Sequence, residues 1–304
     1  MTKERSRTKL WRLLYTPRRN RWLTAGPAAV WLGLLLLAPL TYMVVVSFLT
    51  VSEETYQLVW SPTLAGYSSL FSADPIWTAP FVDALLISVF VAVVTTLLCL
   101  VTAFPVAYLL ARREGLWVRV IFFLVLLPFF TMYLVRAYSW MLVFGKSGVL
   151  NTTLEALGLV DGPVGLFTFG LPAIIVGLTH AYFPYMLLSL YASLDGIDMD
   201  LVAVARDLGA TRVAVVRDVL VPLTLPGMVS GGLFVFVPTL GAFVTPDILG
   251  AGKIQMIGNF IEGRILGAAD LAAGSAAAMF IVVAIVLVFV VVIQVVDPEE
   301  LGAV

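Results

Sequence analysis

Charge is scarce in this sequence. Only 12% of its 304 residues are Asp, Glu, Lys or Arg, and 61% are hydrophobic. A typical soluble domain carries about 25% charged residues, so this chain cannot cover a water-exposed surface. The composition excludes an ordinary soluble globular protein and indicates a lipid bilayer as the solvent.

Cysteine and histidine are almost absent. The single cysteine, Cys99, excludes a disulfide within the chain and a cysteine-rich metal site, and the single histidine, His180, cannot form a zinc site alone. Cys99 lies in an apolar stretch, where we expect a small buried hydrophobic residue rather than a reactive thiol. For His180 we expect a hydrogen-bonding role rather than a catalytic one. The sequence therefore predicts neither catalytic residues nor a metal site.

Acidic residues and nucleotide-binding motifs are also missing from the apolar stretches. Ion-coupled carriers place carboxylates or histidines inside their helices, whereas here Asp83 and Asp247 fall near the ends of such stretches. The pairs Gly145-Lys146 and Gly252-Lys253 lack the glycine five positions earlier that a phosphate-binding loop requires. We expect no cofactor bound by this chain, and any ATP and magnesium that drive it to be held by another subunit.

What the sequence does contain is a series of apolar stretches, each about 20 residues long or longer, enough to cross a bilayer. They predict an all-α polytopic membrane protein with about six transmembrane helices. We expect a basic N-terminal arm at 1–23, a transmembrane domain at 24–296 and a short tail at 297–304. The predicted spans are 24–49, 81–111, 118–144, 170–194, 223–245 and 271–296.

The basic residues predict how these spans are oriented. Most of the 18 lysines and arginines lie in the N-terminal arm, between the second and third spans, and between the fourth and fifth spans. By the positive-inside rule, both termini and the loop at 195–222 face the cytoplasm. Arg136 is the one basic residue well inside a span, and two interpretations stay open for it. It either extends to the nearby interface, or lines a pathway or packs between helices, paired with a carboxylate or with carbonyls.

The cytoplasmic loop at 195–222 has an unusual pattern. Asp198 or Asp200 is suited to cap a helix through 201–208, Gly209 ends it, and a second helix at 211–220 stops at Pro222. Composition alone also allows an amphipathic linker that lies on the membrane surface.

Two segments of this loop carry a family resemblance: residues 200–210 (DLVAVARDLGA) and 221–227 (VPLTLPG). Together they resemble the cytoplasmic signature of binding-protein-dependent ABC importer permeases, whose loop docks on the ATPase. Ala203 stands where the family has glutamate, which weakens any expectation of a salt bridge there. The resemblance implies the type I importer permease fold. The coupling residues it implies are Asp200, Ala203, Ala205, Arg206, Asp207, Gly209, Ala210, Arg217 and Pro222.

Further segments are similar to the spermidine/putrescine-type permeases. They are 127–131 (LPFFT) with 134–140 (LVRAYSW), then Gly145, Gly148 and Asn151, then 238–250 (PTLGAFVTPDILG), 256–259 (MIGN) and 274–276 (GSA). Relatives in this group import ferric iron or opines instead.

This resemblance implies a membrane-embedded permease subunit, not an enzyme, in the cytoplasmic membrane of a bacterium or archaeon. The implied partners are ABC ATPase subunits, a second permease chain and an extracytoplasmic substrate-binding protein. A polyamine substrate would favour carboxylates and aromatic faces, and our candidate path residues are Arg136, Tyr138, Trp140, Thr239 and Asp247. The competing interpretations are an ion-coupled carrier and a non-transporting membrane scaffold.

Overall fold

The structure is a computed structural model that describes residues 21–52, 54–72, 81–165, 168–198 and 200–295. Most of the predicted basic arm at 1–23 and all of the predicted tail at 297–304 lie outside these residues.

The described chain is built almost entirely of helices, which confirms the all-α prediction. The exception among the described residues is an antiparallel hairpin of two short strands, β1 (Thr50–Val51) and β2 (Leu58–Val59). A 3₁₀ turn covers Leu127–Phe130, and π-helical turns cover Val216–Leu220 and Gly263–Gly267. The helices are α1 Arg21–Ser47, α2 Ala65–Leu70, α3 Phe81–Ala111, α4 Leu116–Leu126, α5 Tyr133–Phe144, α6 Val149–Ala156, α7 Leu171–Asp195, α8 Asp200–Asp207, α9 Arg212–Val215, α10 Val221–Leu223, α11 Leu225–Leu240, α12 Val244–Gly250, α13 Ile257–Glu262 and α14 Leu271–Val295.

Four helices, α1, α3, α7 and α14, are long and apolar enough to cross a membrane. Two bent helix pairs satisfy the same requirement, so the described chain has up to six spans. Of these four helices, α3 is the longest and runs from Phe81 to Ala111.

The third predicted span is not one continuous helix. Its two parts, Leu116–Phe130 and Tyr133–Ala156, meet at a bend of 101°. Pro128 has no N–H to donate, and the helix tightens into a 3₁₀ turn there before Thr131 adopts an extended conformation. The single apolar run at 118–144 therefore contains a helix end and a new helix start.

In the fifth predicted span, 223–245, the helix α11 ends at Leu240, and Pro222 does not stop the helix before this span as expected. Helical structure continues from Arg212 to Leu223, and the 71° bend comes at Thr224. The reason is the π-helical turn before the proline, in which the N–H of Val221 donates to the carbonyl of Val216. This wider turn accommodates a proline that would disrupt a regular α-helix at this point.

The centre of the fold is formed by α3, α7 and α11, which pack on one another, while α1 packs on α14 at the periphery. Glycines allow α11 to approach α7 closely. A Cβ at Gly227 would lie 2.5 Å from Cβ of Ser193 and 2.8 Å from the carbonyl oxygen of Ser189. A Cβ at Gly231 would lie 2.8 Å from Sδ of Met186. Small residues spaced by four allow two backbones to pack this closely within a membrane.

We predict that Gly227→Ala destabilises the protein by about 1–3 kcal/mol, because the added methyl group overpacks a backbone contact. Thermal unfolding of the purified protein in detergent measures the effect. Gly232→Ala is the matched control on the same helix, where the nearest atom to a new Cβ is Cγ2 of Thr96 at 3.7 Å. Equal unfolding temperatures for the two variants would contradict the close crossing.

Candidate coupling loop and transport pathway

The loop at 195–222 is a helix, a sharp turn and a second helix. The N–H of Ala210 donates to the carbonyl of Ala205 at 3.0 Å, and the N–H of Gly209 donates to that of Arg206 at 2.9 Å. This pair of bonds is a Schellman motif, and Gly209 adopts the positive φ of +88° that the motif requires. Thr211 then caps α9, because its Oγ1 accepts from the N–H of Ala214 at 3.2 Å.

The loop is anchored from beneath by apolar side chains. Val202, Val215 and Leu220 are buried in one cluster with Leu110 of α3 and Leu194 of α7. The loop therefore packs on the ends of two central spans, rather than lying apart from them as a surface linker.

The opposite side of the loop carries exposed apolar side chains next to the turn. Leu208 is 84% exposed and Val213 is 75% exposed, with Val204 also exposed. Exposed apolar side chains grouped on an anchored element are typical of a protein-binding surface.

The predicted coupling residues divide between these two sides. Ala205 and Ala210 are partly buried against the cluster beneath. The other predicted members are exposed: Asp200, Ala203, Arg206, Asp207, Gly209, Arg217 and Pro222. The Nε of Arg217 donates to Oδ1 of its neighbour Asp218 at 2.6 Å, and this hydrogen bond holds the pKa of Asp218 below its usual range.

On the other side of the molecule, α5, α7 and α12 meet at a narrow crevice. The hydroxyl groups of Tyr133 and Thr245 lie 2.7 Å apart. The indole Nε1 of Trp140 donates to Nδ1 of His180 at 3.2 Å, which confirms the hydrogen-bonding role expected for His180. Gly177 lies at the same contact, because a Cβ there would come within 2.7 Å of Leu249. Hydrogen bonds and close packing hold these three helices together.

Arg136 lines this crevice and also spans the break in the third span. Its Nη1 donates to the carbonyl oxygen of Pro128 at 3.3 Å, and its Cζ lies 5.6 Å from the centre of the Tyr133 ring. A backbone carbonyl is thus its hydrogen-bond partner, as one of the two interpretations expected. Arg136 joins α5 to the end of the 3₁₀ turn, because the carbonyl of Pro128 accepts from its guanidinium as well as from the N–H of Thr131 at 3.2 Å.

The structure does not gather all the candidate path residues. Arg136 and Trp140 line the crevice. Tyr138 is exposed, and Thr239 is buried in α11. Asp247 is exposed and lines a separate polar pocket.

That polar pocket includes residues that sequence reasoning missed. Gln255, Asn259 and Glu262 line it together with Asp247. Two of them could have been found from the sequence, because Asn259 and Glu262 are three residues apart and therefore lie on one face of the helix α13. The pocket therefore presents two carboxylates and two amides.

Several residues of the spermidine/putrescine-type segments have structural roles. The Nδ2 of Asn151 donates to the carbonyl of Gly145 at 2.8 Å, and its Oδ1 accepts from the N–H of Val164 at 2.9 Å. The Nδ2 of Asn259 donates to the carbonyl of Phe243 at 2.9 Å. A Cβ at Gly258 would lie 2.7 Å from the carbonyl oxygens of Gly241 and Ala242. These residues satisfy or closely approach backbone where helices end.

Comparison with known proteins identifies the family. Residues 103–300 match the family model described as a binding-protein-dependent transport system inner membrane component. The chain is 34% identical over 247 residues to the spermidine/putrescine transport system permease protein PotB of Escherichia coli strain K12, covering 81% of this chain and 86% of that protein. It is 30% identical over 282 residues to the inner membrane ABC transporter permease protein YdcU of the same organism, covering 88% and 87% of the two chains.

A solved structure shares the fold. A chain of a bacterial alginate ABC transporter, in complex with a periplasmic protein bound to alginate pentasaccharide, superposes with a TM-score of 0.70. The superposition covers 93% of this chain and 99% of that one, at 16% sequence identity.

For the turn of the loop, we predict that Gly209→Ala destabilises the local structure by about 1–2 kcal/mol, because alanine is strained at positive φ. Amide hydrogen exchange of the peptide covering residues 200–215 should then accelerate by roughly 5–30-fold. Gly209→Asn should have a smaller effect, because asparagine tolerates this conformation better.

The matched control is Gly196→Ala, at a position with φ −78° that needs no special conformation. If Gly209→Ala exchanged no faster than this control, the Schellman turn would be contradicted.

Proposed function

The chain belongs to the family of binding-protein-dependent transport system inner membrane components, as a permease subunit of an ABC importer, and we propose that the substrates it moves are polyamines such as spermidine and putrescine. The observation that carries the substrate is the 34% identity to PotB over 81% of this chain. The pocket lined by Asp247 and Glu262 supports it, since carboxylates suit an ammonium ligand.

We propose that the loop at 195–222 couples this chain to a separate ATPase subunit, which alone binds ATP and magnesium. The exposed side chains of Leu208 and Val213 form the docking surface. Their anchor through Val202, Val215 and Leu220 passes movement of the loop to α3 and α7. Because the core beneath the loop is close-packed, a displaced loop shifts helices rather than being absorbed by voids.

The transport cycle follows from two states of the same spans. Nucleotide binding to the ATPase favours one arrangement of the coupling loops and hydrolysis favours the other, so the coupling is differential stabilisation of two conformations. In this structure α5, α7 and α12 are joined around the crevice by the Tyr133–Thr245 and Trp140–His180 hydrogen bonds. We propose that these contacts separate when the path opens.

The remaining partners follow from the family. We propose a second permease chain beside this one and an extracytoplasmic binding protein that supplies the substrate. Both termini and the coupling loop then face the cytoplasm, as the distribution of lysine and arginine predicts. High-affinity selection of the substrate belongs to the binding protein, because the positive charge of Arg136 in this crevice repels a polycation.

We predict ATP-dependent uptake of labelled spermidine into vesicles that contain this chain with its ATPase and partner permease, and with binding protein on the substrate side. Asp247→Asn should lower uptake several-fold at limiting substrate, because one carboxylate of the polar pocket is lost. Glu155→Gln, an exposed acid on α6, is the control and should leave uptake unchanged.

Uptake driven by an ion gradient without ATP would overturn the importer. ATP-dependent uptake of a different solute, with spermidine excluded, would overturn the polyamine substrate. Uptake unchanged by Asp247→Asn would remove that residue from the path.

We predict that Leu208→Asp prevents stable association with the ATPase, because docking would bury a carboxylate in an apolar contact at a cost of several kcal/mol. Co-purification of the ATPase and uptake in vesicles measure the loss. The control is Leu159→Asp, the same change at another exposed leucine, 66% exposed, outside the loop. An ATPase that co-purifies equally with both variants would exclude Leu208 from the docking surface.

A further inference from the structure

Arg136 brings a positive charge to the crevice between α5, α7 and α12. The crevice is too narrow to hold a water molecule. Its other lining residues are uncharged: Tyr133, Ala137 and Trp140 from α5, Gly177 and Ala181 from α7, and Thr245 from α12. The guanidinium therefore lies where three helices close against one another.

The hydrogen bond and the ring contact of Arg136 stay within its own bent span. Its Nη1 donates to the carbonyl oxygen of Pro128, eight residues earlier. Its Cζ lies 5.6 Å from the centre of the ring of Tyr133, on the same helix. The hydrogen bonds that cross the crevice to α12 and α7 come from Tyr133 and Trp140 instead. Loss of the guanidinium therefore leaves both of these crossing bonds in place.

No carboxylate neutralises Arg136 in the part of the chain that the structure describes. The ion pairs there join Arg217 to Asp218 and Arg264 to Asp270. The Nε of Arg136 is buried and has no hydrogen-bond partner among the described residues. An ionised side chain inside a span is costly, so its presence indicates a function. What Arg136 offers to the crevice is a positive charge without a counterion.

Such a charge acts on any cation that enters the crevice. Coulomb repulsion is strong where water is excluded, because little solvent is present to screen it. Narrow membrane pathways exclude protons and other cations with an arginine in this way. A path for a polycation needs a barrier of this kind, because the membrane potential draws potassium ions and protons toward the cytoplasm.

We propose that Arg136 is the barrier to small cations in the closed path, a role that rests on the proposed function of a polyamine importer. The hydrogen bonds of Tyr133 and Trp140 hold the helices together, and the charge of Arg136 repels cations whenever the crevice loosens. During transport the guanidinium moves with α5, because its hydrogen bond and ring contact are with its own span. The substrate then passes after the charge has moved away from α7 and α12.

Potassium efflux from proteoliposomes tests this barrier. The vesicles contain the complete transporter without nucleotide or binding protein, are loaded with potassium chloride, and carry a protonophore for charge balance. Ion-selective electrodes follow potassium and chloride. Arg136→Gln should raise potassium efflux about tenfold or more and leave chloride efflux unchanged, because a repulsion specific to cations is lost. Arg136→Lys should retain most of the barrier, since it keeps the charge.

The matched control is Arg119→Gln, the same change at an exposed arginine on α4, in the other half of the same bent span. It should leak potassium like the wild type. Wild-type potassium efflux from folded Arg136→Gln would overturn the barrier. Chloride released from Arg136→Gln vesicles as fast as potassium would overturn it too, since a gap rather than a lost charge would then explain the leak.

A second pair of variants keeps the test decisive if Arg136→Gln fails to fold. Ala181 is 3% exposed and lines the crevice from α7. Ala181→Asp adds a carboxylate that neutralises Arg136, whereas Ala181→Asn adds the same shape without the charge. Potassium efflux should be about tenfold faster from Ala181→Asp than from Ala181→Asn. Equal potassium efflux from the two variants would contradict the barrier.

Uptake of spermidine by the wild type separates this proposal from the one on which it rests. Absence of ATP-dependent uptake would overturn the polyamine importer. Potassium efflux in the absence of nucleotide decides the barrier. The two measurements follow different ions and different driving forces, so either proposal can fail alone.

Discussion

Where helices begin and end in the part of the chain that the structure describes, polar side chains form hydrogen bonds with the backbone, in a solvent that offers that backbone no partners. The guanidinium of Arg136 reaches the carbonyl of Pro128 across the break in the third span. The amide of Asn259 reaches the carbonyl of Phe243 after α11 ends. The hydroxyl of Ser88 on α3 accepts from the N–H of Ile257 at the start of α13, at 2.7 Å. These polar side chains therefore stabilise the fold where helices begin and end.

One helix, α7, connects the crevice with the loop at 195–222. The same helix, α7, carries Leu194 under the coupling loop and His180 beside the crevice. The close crossing at Gly227 and Gly231 joins it to α11 over the intervening length. At Gly227 the neighbouring atoms are the carbonyl oxygen of Ser189 and Cβ of Ser193, so the two helices pack there without a long side chain between them. The close crossings therefore join α7 to α11 between the crevice and the loop at 195–222.

Much of the fold was predictable from particular residues. The helices α3, α7 and α14 were predictable because each comes from a long apolar run, and the length of such a run is enough to indicate a spanning helix. Gly209 was legible because a positive φ after a helix favours glycine. The prediction that Pro222 ends a helix was wrong. A proline usually ends a helix, but here a π-helical turn precedes it, and local sequence preferences do not predict such a turn. The break near Thr131 was hidden within an uninterrupted apolar run.

The sequence by itself determined that the chain enters a membrane, where the loop at 195–222 turns and to which family the chain belongs. Composition, hydrophobic length and local backbone preference are properties of neighbouring residues, so they are readable without a fold. The tertiary structure decided the partners: His180 with Trp140, Arg136 with Pro128, and Arg264 with Asp270 at a cavity. It also separated Asp247 from Arg136, which the sequence had grouped on one path. The physical reason is that helices distant in sequence choose their contacts through packing, and only packing decides which polar groups face each other.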